Sequence, residues 1–154
     1  MRPRSLFNSS ISYYLSYLHA RLQYREKRIH ALQDSMLKSL IEKAKRTEIG
    51  REFGFRTIRN AQDYASQVPV RNYDAIRDHI QRMMQGETNV LWPGLVTWFA
   101  KSSGTTADKS KFIPVTTEHL NHTHTRSGWY TLALLYHRNP EVRVFADKNL
   151  VMTG

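Results

Sequence analysis

Between Pro3 and Gly50 the chain has no glycine or proline, and apolar residues recur at Ile11, Tyr14, Leu15, Leu18, Leu22, Ile29, Leu32, Met36, Leu40 and Ala44. Steps of three and four place these residues on one stripe of helix. A run of about 35 residues is long for one globular helix, and Asp34-Ser35 can cap a second, so a break or bend is expected near residues 29–35. The stripe requires a partner surface.

After this region Gly50, Phe53, Gly54 and Phe55 read as a turn-rich insert, and Asn60-Ala61-Gln62-Asp63-Tyr64 as a short capped helix. Val68-Pro69-Val70 reads as extended. Asn72 can cap a further helix, whose apolar positions Tyr73, Ile76, Ile80, Met83 and Met84 share a face, with Gly86 placed to end it. From Val90 the pattern changes to short runs rich in aromatic and β-branched residues: Val90-Leu91-Trp92, Val96-Thr97-Trp98-Phe99 and Phe112-Ile113-Pro114-Val115. These predict strands. Thr116 or Thr117 can cap a helix of about 20 residues carrying Leu120, Tyr130, Leu134 and Leu135, and two more strand candidates follow at Val142–Phe145 and Leu150–Met152. The fold class expected is α/β: a helical region over about 9–86, then the opening strands and helix of a sheet. The last strand candidate runs directly into Thr153-Gly154, so the chain is expected to be the N-terminal part of one larger domain, 1–90 mainly helical and 91–154 strand, loop, strand, helix and strand.

Composition narrows the functional classes. Lys and Arg total 23 against 13 Asp and Glu, a formal charge of +10, which suggests an anionic partner. Residues 1–46 carry 10 basic and 3 acidic residues, so the excess belongs mainly to the first helical region. There is no cysteine, hence no disulfide framework, thiol nucleophile or thiolate metal site, and a reducing cytoplasm is the expected compartment. No stretch reads as a signal-peptide core or reaches about 18 apolar residues.

The chemistry is concentrated in one segment, Phe99-Ala100-Lys101-Ser102-Ser103-Gly104-Thr105-Thr106-Ala107-Asp108-Lys109-Ser110-Lys111-Phe112-Ile113-Pro114, between two predicted strands. Four hydroxyl side chains surround Gly104, and Lys109 and Lys111 follow. Glycine admits close backbone approach, hydroxyls and consecutive N–H groups donate to phosphate oxygens, and ammonium groups offset their charge. The segment has neither the Gly-Lys-Ser/Thr ending of a Walker A loop nor Rossmann glycine spacing. Its ordinary alternative is a polar surface hairpin, since Ser, Thr, Gly, Asp and Lys are common turn residues.

The context of this loop goes further. Leu91-Trp92-Pro93, Phe99-Ala100-Lys101-Ser102-Ser103-Gly104-Thr105-Thr106 and Asp108-Lys109-Ser110-Lys111-Phe112-Ile113-Pro114-Val115 resemble the nucleotide-loop region of the auxin-responsive-promoter family of acyl acid amido synthetases, in the acyl-adenylate-forming superfamily. Upstream, Thr47 with Gly50-Arg51, Gly54-Phe55, Asp63-Tyr64, Val68-Pro69-Val70, Tyr73 and Arg82-Met83 with Gly86-Glu87 fall in that family's order. The resemblance covers most of 36–154 and is most specific at 91–115. It implies a ligase that uses ATP and Mg2+ to activate a carboxylic acid as an acyl adenylate, then passes the acyl group to an amine, commonly of an amino acid. It implies that Ser102, Ser103, Gly104, Thr105 and Thr106 hold the ATP phosphates, with Lys111 neutralising them as the catalytic lysine. It also implies that His124, with Gly128 leaving space, lines the acyl pocket. Two positions depart from the pattern: Ile49 stands where an aromatic is expected, and Ala107 where the wider superfamily has glycine. The adenine and ribose motifs and the mobile C-terminal domain would lie beyond Gly154, so the chain by itself is expected to be inactive.

Two other signals remain. His122 and His124 point to different helix faces, and His119 with His122 has only Glu118 nearby, so no metal site is assigned. The alternative function is a basic helical module for nucleic acid or an anionic membrane, resting on residues 2–46. Arg2, Arg4, Arg21, Arg25, Lys27 and Arg28 are not interleaved with stacking aromatics, which favours a solvated basic face.

Overall fold

The structure, a computed structural model, describes residues 3–102, 110–139 and 141, with side chains from Ser9 onward. The strand candidates at 142–145 and 150–152 lie outside the described residues. Helices run through the first part of the chain and a strand–loop–strand–helix sequence follows, in agreement with the α/β pattern. The chain divides into two compact units, one of residues 1–28 with 121–154 and one of residues 29–120.

In the first unit, helix α1 (Pro3–Glu26) packs on helix α6 (Thr125–Arg138). Leu15, Leu18 and Ala133 are buried between them, flanked by Ile11, Trp129, Tyr130, Leu132 and Tyr136. Tyr14 meets Trp129 edge to face, with ring centroids 5.5 Å apart. The N-terminal half of the apolar stripe thus has its partner. Two of its cations are engaged locally, Arg25 donating to the Tyr130 hydroxyl at 3.1 Å and Arg28 to the Tyr24 hydroxyl at 2.7 Å. The helical break falls at Lys27–Arg28, just before the expected window, where the Arg28 amide reaches the Arg25 carbonyl in a tightened last turn. Asp34 and Ser35 lie inside the next helix and cap nothing. No helix among the described residues is long and apolar enough to cross a membrane.

The second unit starts with helix α2 (Ile29–Ala44). Its buried residues are Ile41 and Ala44, with Leu37 beside them, packed on Phe55 and Ile58. The stripe positions Ile29, Leu32, Met36 and Leu40 are instead exposed. Period alone marks the amphipathic helix but not which of two adjoining apolar rows is covered.

Thr47 makes the corner after α2. It is fully buried; its hydroxyl donates to the Ala44 carbonyl at 2.7 Å and accepts from the Gly50 amide at 3.1 Å, capping helix α3 (Glu48–Glu52). Gly50 therefore belongs to a helix and not to a turn, correcting the sequence expectation. A Cβ there would lie 2.0 Å from the Ala44 carbonyl oxygen, so the corner closes only around glycine. Gly54, at φ +60°, supplies the turn into a short 3-10 segment, Phe55–Thr57. Ile49, which stands where the resemblance leads one to expect an aromatic, packs at the edge of the same core.

The caps of the next two helices are as predicted. Asn60 accepts from the Asp63 amide at the start of helix α4 (Ala61–Gln67), and Asn72 from the Ala75 amide at the start of helix α5 (Tyr73–Met84). Gly86, at φ +94°, follows the end of α5. Val90–Trp92 is not a strand. The Asn89 side chain accepts from the Gly94 amide and the Asn89 amide donates to the Gly94 carbonyl, closing residues 89–94 into a loop. The Asn89 and Val90 carbonyls accept from the amides of Glu48 and Ile49, using the α3 N-terminus where a strand would use a neighbour. Val90 is nonetheless core, buried with Met83 and Val96 against Leu91, Trp92 and Phe99.

Strands β1 (Trp98–Lys101) and β2 (Phe112–Val115) pair antiparallel, Trp98 opposite Val115 and Lys101 opposite Phe112. Thr116 caps the following turn by accepting from the His119 amide at 3.0 Å. The predicted helix then begins with a π-helical stretch, His119–His124, before α6.

Replacing Gly50 with Ala should lower stability by about 1–3 kcal/mol or more, since the overlapped atom is backbone. Denaturant unfolding monitored by circular dichroism measures it, and a neutral result would show that the corner has room the structure denies.

Candidate functional site

The hydroxyl-rich loop leaves β1 and returns into β2. At its root the ladder extends one pair beyond the strands: the Ser102 amide donates to the Lys111 carbonyl at 2.9 Å, and the Lys111 amide to the Ser102 hydroxyl at 3.2 Å. Of the sequence-predicted phosphate site, Ser102 and Lys111 are thereby brought together across the mouth of the loop. Ser103, Gly104, Thr105 and Thr106 lie outside the described residues. Lys111 is exposed, and its ammonium lies 5.8 Å from the centroid of the Tyr73 ring.

Beside this root an open cleft of about 420 Å³ runs between α5 and the hairpin, lined by Tyr73, Arg77, Ile80, Gln81, Met84, Lys101, Ser110 and Phe112. Arg77 forms an ion pair with Asp74 at 2.5 Å on the exposed face of α5. Lys101 lines the cleft with Ser110 and Tyr73, and Lys111 lies beside it at the loop root, so this end of the hairpin carries cations and hydroxyls, a donor set suited to an anion. Tyr73 is the site residue that sequence reasoning treated as scaffold. Its hydroxyl accepts from the Phe112 amide at 2.9 Å and reaches the Phe112 carbonyl at 3.3 Å, a contact across 39 residues that no local pattern announces.

His124 and Gly128 belong to the other unit. His124 ends the π-helical stretch with helical backbone and no capping hydrogen bond, and Gly128 lies one turn later on α6. Both are exposed, and a Cβ on Gly128 would meet no atom within 4 Å. Among the described residues no group of three or more His, Asp or Glu could hold a metal ion.

A cluster of ionisable side chains among the described residues lies elsewhere in residues 29–120. Arg82, on α5, binds Glu48 through both terminal nitrogens and Glu87 through Nε at 2.7 Å and Nη2 at 2.5 Å. His79 Nε2 is 3.4 Å from Glu48, while His79 Nδ1 is buried without a partner. Hydrogen bonds from Arg82 hold both carboxyls below the usual carboxylate range, against the opposing effect of burial, and Arg82 itself is pushed up by Glu87 and then Glu48. Both carboxylates already accept from the guanidinium, so the cluster ties α3 to the end of α5 and offers no base. Arg82 and Glu87, which entered the sequence reading only through the family resemblance, have this structural role.

Comparison with known proteins gives a consistent result. Residues 18–151 match a family described as the GH3 family N-terminal domain. The chain is similar to an indole-3-acetic acid-amido synthetase, GH3.15, of Arabidopsis thaliana, 31% identical over 110 residues that cover 71% of this chain and 18% of the relative. It is similar also to a jasmonoyl-L-amino acid synthetase, GH3.5, of Oryza sativa subsp. japonica, 34% identical over 93 residues, 60% of this chain and 16% of the relative. Among solved structures, the GH3.15 acyl acid amido synthetase superposes with a TM-score of 0.69 at 28% identity, over 78% of this chain and 22% of that one. The chain therefore spans less than a fifth of these curated relatives.

Because folding lowers the proton affinity of Glu48 and Glu87, the unfolded state binds more protons in acid. Their contribution to stability is complete above the unfolded carboxylate range and is lost as pH falls through the lower folded values. Melting temperature should drop between about pH 5 and 3, and Arg82→Met should flatten that drop while lowering the neutral-pH value. Circular dichroism melts across this range test it, and an equally steep acid limb in the variant would remove Arg82 as its cause.

Proposed function

The chain belongs to the GH3 family, and from that premise we propose that it is the nucleotide-loop portion of an ATP-dependent acyl acid amido synthetase, the N-terminal part of one larger adenylate-forming domain. The full-length enzyme adenylates a carboxylic acid and transfers the acyl group to the amine of an amino acid. The observation that carries this reading is the hairpin: two paired strands whose mouth is closed by Ser102 and Lys111, holding a hydroxyl-rich loop between them. Exposed apolar residues on α2 and on the hairpin, including Met36, Trp98 and Ile113, support the larger domain, since such surface is ordinarily covered by protein.

In the first step a carboxylate oxygen attacks the α-phosphorus of ATP and the bond to pyrophosphate breaks. Negative charge on the phosphoryl oxygens rises as the bond forms, and donors fixed beforehand lower that barrier. Ser102, Ser103, Thr105 and Thr106 supply hydroxyl donors, Gly104 admits the phosphates close to the backbone, and Lys111 supplies a positive charge at the strand's start. In the second step the amine nitrogen attacks the acyl carbon, AMP leaves and the amine loses a proton. Mg2+ would be held mainly through the phosphate oxygens, as is usual for this ion, and no described residue is assigned to it. His124 and Gly128 are assigned to the acyl-acid side. The π-helical turn that ends at His124 supports this, since such turns occur frequently at functional sites.

In the full-length enzyme, Ser103→Ala, Thr105→Val and Lys111→Ala should each lower acid-dependent ATP–pyrophosphate exchange by about 10–1000-fold, equivalent to about 1.4–4 kcal/mol. Stability should change by about 1 kcal/mol or less in thermal melts. Full exchange activity in all three variants, or losses that merely track stability, would remove the loop from the mechanism.

A further inference from the structure

In an antiparallel ladder, alternate residues turn both backbone groups away from the partner strand. Ser102 and Lys111 form a hydrogen-bonded pair at the mouth of the loop, so the neighbouring pair, Lys101 and Phe112, is of the other kind. Phe112 thus points its N–H and C=O outward. One phenol serves both: the Tyr73 hydroxyl accepts from the amide at 2.9 Å and donates to the carbonyl at 3.3 Å. A side chain at the first position of α5, fixed there by the Asn72 cap, stands where the backbone of a third strand would pair. The same ring lies 5.8 Å from the Lys111 ammonium, within the range of a cation–π contact.

We propose that Tyr73 is the positioning residue for Lys111, its hydroxyl fixing the backbone that follows the lysine and its ring holding the ammonium near the loop. The proposal rests on the reading of the loop as the phosphate site. It goes beyond that reading by placing the control of Lys111 on α5, outside the loop. Without the hydroxyl, the chain on the C-terminal side of Lys111 loses an anchor, and the ammonium samples positions where it contributes less to the transition state. Tyr73 touches no reacting atom in this account; it acts through the lysine.

The test uses the full-length enzyme and the variants Tyr73→Phe, Lys111→Ala and the double variant. Tyr73→Phe keeps the ring, so the fold should persist in a thermal melt while the Phe112 amide exchanges faster with deuterium. Exchange turnover at saturating ATP should fall roughly 10-fold, with a smaller change in the KM for ATP. In the Lys111→Ala background the same substitution should cost less than about 2-fold, because the group through which it acts is gone. Unchanged deuterium exchange at Phe112, unchanged turnover in Tyr73→Phe, or a loss that multiplies onto that of Lys111→Ala would each overturn the positioning role. If Lys111→Ala is itself fully active, the assignment of Lys111 to the phosphates fails first, and that result is distinct from the other three.

Discussion

A single guanidinium shared by two carboxylates joins two helices of residues 29–120 beside their apolar core. Arg82 binds Glu48, at the start of α3, and Glu87, just beyond α5, so the end of one helix is fixed to the beginning of another. Next to it the buried Thr47 hydroxyl and the missing side chain of Gly50 let α2 turn sharply into α3. At the opposite, N-terminal end of α5, Tyr73 meets Phe112 of the hairpin. This arrangement suits chemistry that needs fixed donors, because the strand that leaves the loop is tied to the helix through Phe112.

Local signals in the sequence were legible because their physics is local. Asn60, Asn72 and Gly86 act within one turn of their own position, and each sits where the pattern puts it. Gly50 and Val90–Trp92 were misread because their surroundings come from distant segments. A glycine required by the Ala44 carbonyl looks like a turn glycine, and an apolar run paired with a helix end looks like a strand. For α2 the apolar stripe was visible, but the row that packs, Leu37, Ile41 and Ala44, is offset from the row at Leu32, Met36 and Leu40. The arrangement of the loop root was legible only in part. Ser102 and Lys111 stood out by chemistry and by resemblance, whereas Tyr73 gains its meaning from a hydrogen bond spanning 39 residues.

The two basic features of the chain separate cleanly by position. Most of the charge excess lies in residues 1–46, where Arg25 and Arg28 are engaged with tyrosines, whereas the cations beside the proposed phosphate loop are Lys101 and Lys111. Net charge is therefore a poor guide to the site. Placement of a few donors at one hairpin mouth carries more weight than the total, because fixed hydrogen-bond geometry at short range outweighs screened charge at long range.

The central claim is that residues 102–111 hold the phosphates of ATP. Hydrogen–deuterium exchange of the full-length enzyme with and without ATP and Mg2+ tests it most directly, since bound phosphates protect the amides that cradle them. The account predicts slowed exchange centred on residues 99–115 with ATP and Mg2+, and no such slowing in nucleotide-free buffer. ATP that binds while leaving this segment unprotected, with protection confined to other parts of the protein, would contradict it.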